Sequence, residues 1–284
     1  MKTVALWFCI AAFCVAADAK VIYSNGVWQL FAVLDQRTNM GVEILLNPSE
    51  EAAAIVAKHQ NPSSINTFLL RQLPSTKGAI PTVLFDTGMH GALLANLASI
   101  GTKAEDVNAV LITHMHPDHI GGLIKDGKKV FANATVYLPE NDLKHWLNST
   151  DDNRKIAQSL QSVYGDRLKS FAWGVKPLKN APITAIKAAG HTPGHTVFEL
   201  ADKNGKSELL IVADLIHSLN AQMAYPDQSV TFDTDPIAAA KTRREIFDYA
   251  AKNKIPIVGM HILFPSIGMI TKDNNGYQFS PKVD

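Results

Sequence analysis

Cysteine is nearly absent from this 284-residue chain: there are two, Cys9 and Cys14. Beyond them no disulfide and no thiolate metal site can be built, so any metal centre rests on histidine and carboxylates alone. An excess of charge of one sign is also missing. With 27 Lys and Arg against 26 Asp and Glu, and a net charge of +1, there is no basic face to attract nucleic acid. Past residue 15 no apolar run approaches the roughly 20 residues that cross a bilayer. Internal repeats and low-complexity linkers are lacking as well, which excludes solenoids and tethered modules. These absences leave a globular chain whose partners are expected to be small molecules.

The first residues read as an address. Met1-Lys2 supplies a positive start, Val4 to Val15 is almost wholly apolar, and Ala17-Asp18-Ala19 has the small-x-small form of a cleavage site. Residues 1–19 are therefore expected to be a secretory signal, cut before Lys20. Residues 20–284 remain as one large domain, periplasmic or secreted, without membrane contact after cleavage and without cysteine. A homodimer is compatible with its apolar early strands.

Along residues 20–284, short apolar runs alternate with helical spacing. Strands are expected over 27–34, 42–46, 65–70, 82–85, 109–112, 135–139, 183–186, 196–200, 208–212 and 257–259. Helices are expected from Pro48 or Ser49 to Lys58, over 93–100, 141–147 and 153–164, and from Pro236, capped by Asp235, to about Lys252. Arg243-Arg244 on the last helix reads as a solvated face. His59, His90 and His145 need no role.

The densest chemistry is Thr113-His114-Met115-His116-Pro117-Asp118-His119, directly after the buried run Ala109-Val110-Leu111-Ile112. Pro117 fits neither a helix interior nor a central strand, so this is a loop or corner at a strand's end. Histidines and a carboxylate presented from a rigid strand converge on a metal more readily than they form a solvated turn. Three later positions repeat the arrangement. His191-Thr192-Pro193-Gly194-His195 surrounds a turn, Asp214 follows Leu209 to Val212, and His261 follows Ile257-Val258. Asp86 ends the run Thr82 to Phe85, either as turn chemistry or as a carboxylate orienting a metal-bound histidine. Several such groups at strand ends imply one site, with enough ligands for two ions and room for water.

The pattern His114-x-His116-x-Asp118-His119, followed by His195, Asp214 and His261, resembles the metallo-β-lactamase superfamily, from about Asp86 to His261. The resemblance implies an α/β fold, a four-layer αββα sandwich with a dinuclear site at one edge. Carried over, it implies that His114, His116 and His195 hold one ion and Asp118, His119 and His261 the other. Asp214 would bridge them and Asp86 support them. The ions are expected to be zinc, with manganese, cobalt and iron open. His191 is expected to orient the turn that carries His195.

Departures narrow the activity. An acidic bridging ligand argues against a true β-lactamase, and the helical region of glyoxalase II is not found after His261. Quorum-quenching lactonases place a Tyr three residues after the bridging Asp, where this chain has His217. The stretches Ala213 to His217 and His261 to Gly268 are similar to the methyl parathion hydrolase group. The resemblance implies a hydrolase acting through a metal-bridging hydroxide on small esters, with lactones such as acyl-homoserine lactones first. Alternatives are phosphotriesters, β-lactams and a non-catalytic metal-binding member of the fold. Asp118 or Asp214 would shuttle a proton and His217 would contact the substrate or its leaving oxygen. Trp146, Trp173, Met223, Tyr225 and Phe264 lie in segments that reach towards the site, each with core packing as its plainer role.

Overall fold

The computed structural model describes residues 18–74, 80–274 and 276–282. Residues 1–17 of the expected signal lie outside the described residues. The first half of the chain contributes β1 (Ala19–Ser24), β2 (Trp28–Asn39), α1 (Glu50–His59), β3 (Pro62–Gln72), β4 (Val83–Phe85), α2 (Leu93–Ser99), β5 (Ala109–Leu111), α3 (Pro117–Ile120), the two-residue strands β6 (Ile124–Lys125) and β7 (Lys128–Lys129), β8 (Thr135–Pro139), α4 (Glu140–Asn148), α5 (Asp152–Tyr164) and β9 (Leu168–Phe171). The second half contributes β10 (Ile183–Lys187), β11 (Thr196–Ala201), β12 (Ser207–Ile211), α6 (Leu219–Ala224), α7 (Pro236–Asn253), β13 (Ile257–Val258), β14 (Ile267–Asp273) and β15 (Gly276–Pro281).

These strands form a seven-stranded sheet, β1-β2-β3-β4-β5-β8-β9, and a six-stranded sheet, β10-β11-β12-β13-β14-β15, with β6 and β7 as a separate ribbon. Side chains alternate between the two faces of a strand, so a short run that is apolar throughout must be covered on both sides. In β4, Val83 and Phe85 face the other sheet while Leu84 faces the helices; in β5 and the residue after it, Ala109 and Leu111 face inward and Val110 and Ile112 outward. On the second sheet Leu209 and Ile211 join the same central core, and Leu210 and Val212 point to Ile246, Phe247 and Ala250 of α7. Leu93 and Leu97 of α2, Trp146 of α4 and Leu160 of α5 cover the first sheet. The result is the expected αββα sandwich.

Local chemistry fixes the helix ends. Ser49 caps α1 by accepting from the Ala52 N–H, and Asp235 caps α7 by accepting from the Ala238 N–H, with Pro236 at its first position. Two expectations are corrected. Residues 42–46 do not form a strand: Val42–Ile44 is a single 3-10 turn, because Ile44 and Leu45 both pack into the small cluster with Ala52, Val56 and Ala221, and strand alternation would send them to opposite faces. Arg243 is not on a solvated face. It is 1% exposed, and its guanidinium donates to the Leu215, Pro226 and Gln228 carbonyls.

The topology brings the ligand-bearing segments to one edge. β4, β5 and β8 run parallel, as do β12 and β13, so the segments after β5, β12 and β13 emerge in register at the same end of the sandwich. The β10–β11 connection, residues 188–195, turns at that end too, where the Thr196 N–H donates to the Thr113 carbonyl across the two sheets.

Candidate metal centre

Asp214 is the hub. It follows Ala213, whose φ of +48° turns the chain sharply after β12, and its carboxylate is buried. Oδ2 lies 3.3 Å from His191 Nε2, 3.1 Å from His217 Nε2, 3.2 Å from His261 Nε2 and 3.5 Å from His114 Nε2; Oδ1 lies 3.2 Å from His119 Nε2. His116 joins through Nδ1, 3.0 Å from both His114 Nε2 and His191 Nε2. Asp118 Oδ2 stands 3.3 Å from His261 Nε2 and 3.6 Å from His119 Nε2. Three overlapping groups of potential ligands result: His114, His116, His191 and Asp214; Asp118, His119 and His261; and Asp214, His217 and His261.

The outer ring nitrogens are held by the protein, which aims the inner ones. His119 Nδ1 is 2.7 Å from Asp86 Oδ2, and Asp86 also accepts from the Thr113 N–H and hydroxyl. His191 Nδ1 is 2.8 Å from Asp233 Oδ1, and His261 Nδ1 is 3.2 Å from the Ser64 carbonyl. His114 Nδ1 faces the Thr113 hydroxyl at 3.1 Å. Asp86 is therefore the carboxylate that orients a histidine, and more than turn chemistry.

His195 is the expectation that fails. The structure puts His191, not His195, in the cluster with His114 and His116. Both ring nitrogens of His195 are engaged by backbone: Nδ1 donates to the Ala188 carbonyl at 3.0 Å, and Nε2 accepts from the Asp214 N–H at 3.1 Å. No lone pair remains for an ion. Burial drives its pKa down to about 3, which keeps the imidazole neutral in this role. The roles assigned to the two histidines of the turn are thus reversed.

The electrostatics suit a cation. Burial raises the Asp214 carboxyl, but His119, His261, His114 and His217 outweigh it and hold the group well below the usual carboxylate range. Burial pushes His114 well down and His116 to about 3, so both present lone pairs. His119 Nε2, Asp214 Oδ1 and His217 Nδ1 are buried with no hydrogen-bond partner. A buried polar atom without a partner costs about 1–3 kcal/mol, and two of these three point into the cluster, where divalent ions would satisfy them. An all-nitrogen and oxygen donor set fits zinc, manganese, cobalt or iron.

A cavity of about 350 Å³ opens onto this centre, lined by Met40, Met89, His116, Pro117, Asp118, Asp214, His217, Phe232 and His261. Every lining residue is apolar or belongs to the cluster. Met89 and Phe232 stand at the mouth, 48% and 50% exposed. The aromatic residues and methionine expected near the site lie elsewhere. Trp146 and Met223 are buried in outer cores, Phe264 packs against the central core, the Trp173 indole donates to Thr196, and Tyr225 is on the surface around α6 and α7. Sequence reasoning missed Asp233, Met40, Met89 and Phe232. Only distant packing brings them to the site, so no spacing signals them.

Residues 61–261 match the Metallo-beta-lactamase superfamily. Two solved structures align over nearly the whole chain. One is described as the hydrolase AbOPH of the beta lactamase superfamily, at 29% identity and TM-score 0.80, covering 92% of this chain and 97% of that one. The other is AidC, a dizinc quorum-quenching lactonase in complex with its N-hexanoyl-L-homoserine product, at 26% identity and TM-score 0.82, covering 94% and 98%. Among curated proteins, the anti-Pycsar protein Apyc1 of Paenibacillus sp. (strain J14) is 32% identical over 133 residues, 42% of this chain and 51% of its own length. A ribonuclease of Thermus thermophilus is 32% identical over 133 residues, 44% of this chain and 30% of its own. The chain thus spans about half or less of these curated relatives.

Proposed function

Since the chain belongs to the metallo-beta-lactamase superfamily, we propose that it is a dinuclear hydrolase of small neutral esters, with lactones such as acyl-homoserine lactones as its first substrate class. The observation that carries this reading is the cavity. Its walls of Met40, Met89, Pro117 and Phe232 lead to the histidines and carboxylates with no cationic side chain among them, which suits an uncharged substrate with an apolar tail better than a phosphodiester strand. Similarity to a dizinc lactonase over 94% of the chain supports the same choice. The curated nuclease likeness is confined to less than half of the chain.

His114, His116 and His191 would hold one ion, Asp118, His119 and His261 the other, with Asp214 between them. Divalent ions held there would lower the pKa of bound water from about 15.7 towards 7 and would polarise the substrate's carbonyl. The chain supplies the rest. Asp118, 24% exposed, is on the cavity wall and can carry a proton at Oδ2 towards the leaving oxygen; Asp214 is the alternative carrier. His217 lines the same wall, with Nε2 3.1 Å from Asp214 Oδ2, and would contact the substrate or its leaving oxygen. Met89 and Phe232 would hold the acyl chain and exclude water.

Protein loaded with zinc, manganese or cobalt is to be assayed side by side on acyl-homoserine lactones, aryl esters, a phosphotriester and nitrocefin. Lactone or ester turnover is expected to dominate. No turnover of any of them with two ions bound refutes the hydrolase reading, and preferential triester or nitrocefin turnover replaces the substrate class. Export belongs to the same proposal: residues 1–19 as a cleaved signal, and residues 20–284 as one domain acting outside the cytoplasm on small molecules, as a monomer or homodimer. The N-terminal sequence of protein recovered from the periplasm or medium tests it.

A further inference from the structure

We propose that Asp142 is a positioning residue that locks together the two loops supplying the first ion's ligands, setting the spacing of His114 and His116 against His191. The inference rests on the metal reading above. Asp142 lies in the first turn of α4, fully buried, and no part of its side chain reaches the cavity. Its Oδ2 accepts from the Met115 N–H at 2.9 Å and from the Thr192 hydroxyl at 2.9 Å, and its Oδ1 accepts from the Gly194 N–H. Met115 sits between His114 and His116, and Thr192 directly follows His191. One carboxylate therefore grips both loops at the residues adjoining their ligands.

The donor set calls for a side chain that only accepts. Three N–H or O–H groups converge on two oxygens, which an ionised carboxylate satisfies and an amide cannot. The approach is close enough to exclude alternatives: a Cβ on Gly194 would fall 2.5 Å from the Asp142 backbone nitrogen and 2.6 Å from Oδ1. Across the joint, His116 Nδ1 and His191 Nε2 end 3.0 Å apart, one contributed by each loop. Asp142 bonds to Met115, between His114 and His116, and to Thr192 and Gly194, but to none of Asp118, His119 and His261 or their immediate neighbours, so its influence falls first on the ion of His114, His116 and His191.

The test is Asp142→Asn, which keeps the shape but sets an NH₂ against at least one donor. Stepwise zinc affinities are measured by competition with a chromophoric chelator, and the step belonging to the first ion is identified as the one lost in His116→Ala. Removing a group that orients metal ligands lowers metal affinity by about 10–100-fold, and a fall of that size is expected for the first step with a clearly smaller change in the other. Thr192→Val, which deletes one of the three hydrogen bonds, should lower the same step less, and it carries the test if Asp142→Asn fails to fold. A variant that lowers the thermal midpoint of the metal-free protein while leaving the ratio of the two affinities at its wild-type value overturns the inference. Wild-type protein that takes up fewer than two ions overturns the dinuclear reading itself, and this inference with it.

Discussion

Replacing each histidine of the turn by leucine should separate a ligand from a support. His191 offers Nε2 to the centre, 3.3 Å from Asp214 Oδ2 and 3.0 Å from His116 Nδ1, while its other nitrogen meets Asp233. His191→Leu should therefore take the bound metal from two ions to one per chain; Asp233 keeps the Val230 N–H at Oδ2 but loses its partner at Oδ1, a cost of about 1–3 kcal/mol. His195 instead satisfies two backbone groups, the Ala188 carbonyl and the Asp214 N–H. Leaving a buried group unmet costs about 1–3 kcal/mol, so His195→Leu should destabilise by roughly 2–6 kcal/mol. At about 2–4 °C per kcal/mol for a chain of this size, that is a drop of roughly 5–20 °C in thermal midpoint. Metal analysis after dialysis and thermal melts of the metal-free proteins read the two effects independently. The assignment fails if His191→Leu retains two tightly held ions, or if His195→Leu sheds an ion without any fall in midpoint.

Three further outcomes follow from the same geometry. Asp214→Ala removes the carboxylate that faces both ligand groups, so ion content and hydrolysis rate should fall together; a variant that keeps both ions removes Asp214 from the bridging position. Arg243→Met leaves Asp233 and three carbonyls without their buried cation, and removing one member of such a network costs about 3–5 kcal/mol; urea unfolding should show it, and a loss below about 1 kcal/mol would return Arg243 to the surface role first expected of it. In metal-free protein, burial lowers His261 but Asp214 and Asp118 outweigh it and raise it to about 10. A raised pKa stabilises fully below the unfolded value near 6.5 and is lost as pH climbs through the folded value. The midpoint of chelator-treated protein should therefore fall between pH 7 and 10 more steeply than that of His261→Gln, and equal slopes would refute the coupling.

The layers were legible because the strands at the centre of each sheet carry uninterrupted apolar runs. Residues 109–112 and 208–212 announce β5 and β12, and the groups that follow them announce the centre. The edge strands were less legible. β14 mixes Thr271, Lys272 and Asp273 into its pattern, and β9 is a short segment, Leu168–Phe171, with two exposed residues, so neither shows a clear period. Within the site, the ligand types and loops could be read, but the choice between His191 and His195 could not. Both flank the same Pro-Gly turn, and only the hydrogen bonds of His195 to the Ala188 carbonyl and from the Asp214 N–H show which ring is already occupied. Arg243 was misread for a related reason: a helix pattern says which way a side chain leaves the axis, not that three carbonyls from residues 215, 226 and 228 will close over it.

The ties across the sandwich edge also bear on how metal arrives. Thr196 is bonded to Thr113, Asp142 to Thr192 and Gly194, and Asn66 to the carbonyls of Gly259, Met260 and Ile262, so the ligand loops of both sheets are joined by protein alone. These ties assign part of the loops' ordering to folding, which lowers the conformational cost left to ion uptake. Ion capture becomes a matter of shedding hydration at the mouth beside Met89 and Phe232. A mixed donor set of imidazoles and carboxylates accepts several first-row metals, among which availability decides more than raw affinity. Which metal the protein carries should accordingly follow the supply where it folds, and an enzyme matured in zinc-poor, manganese-rich medium should emerge with a different occupant and an unchanged backbone.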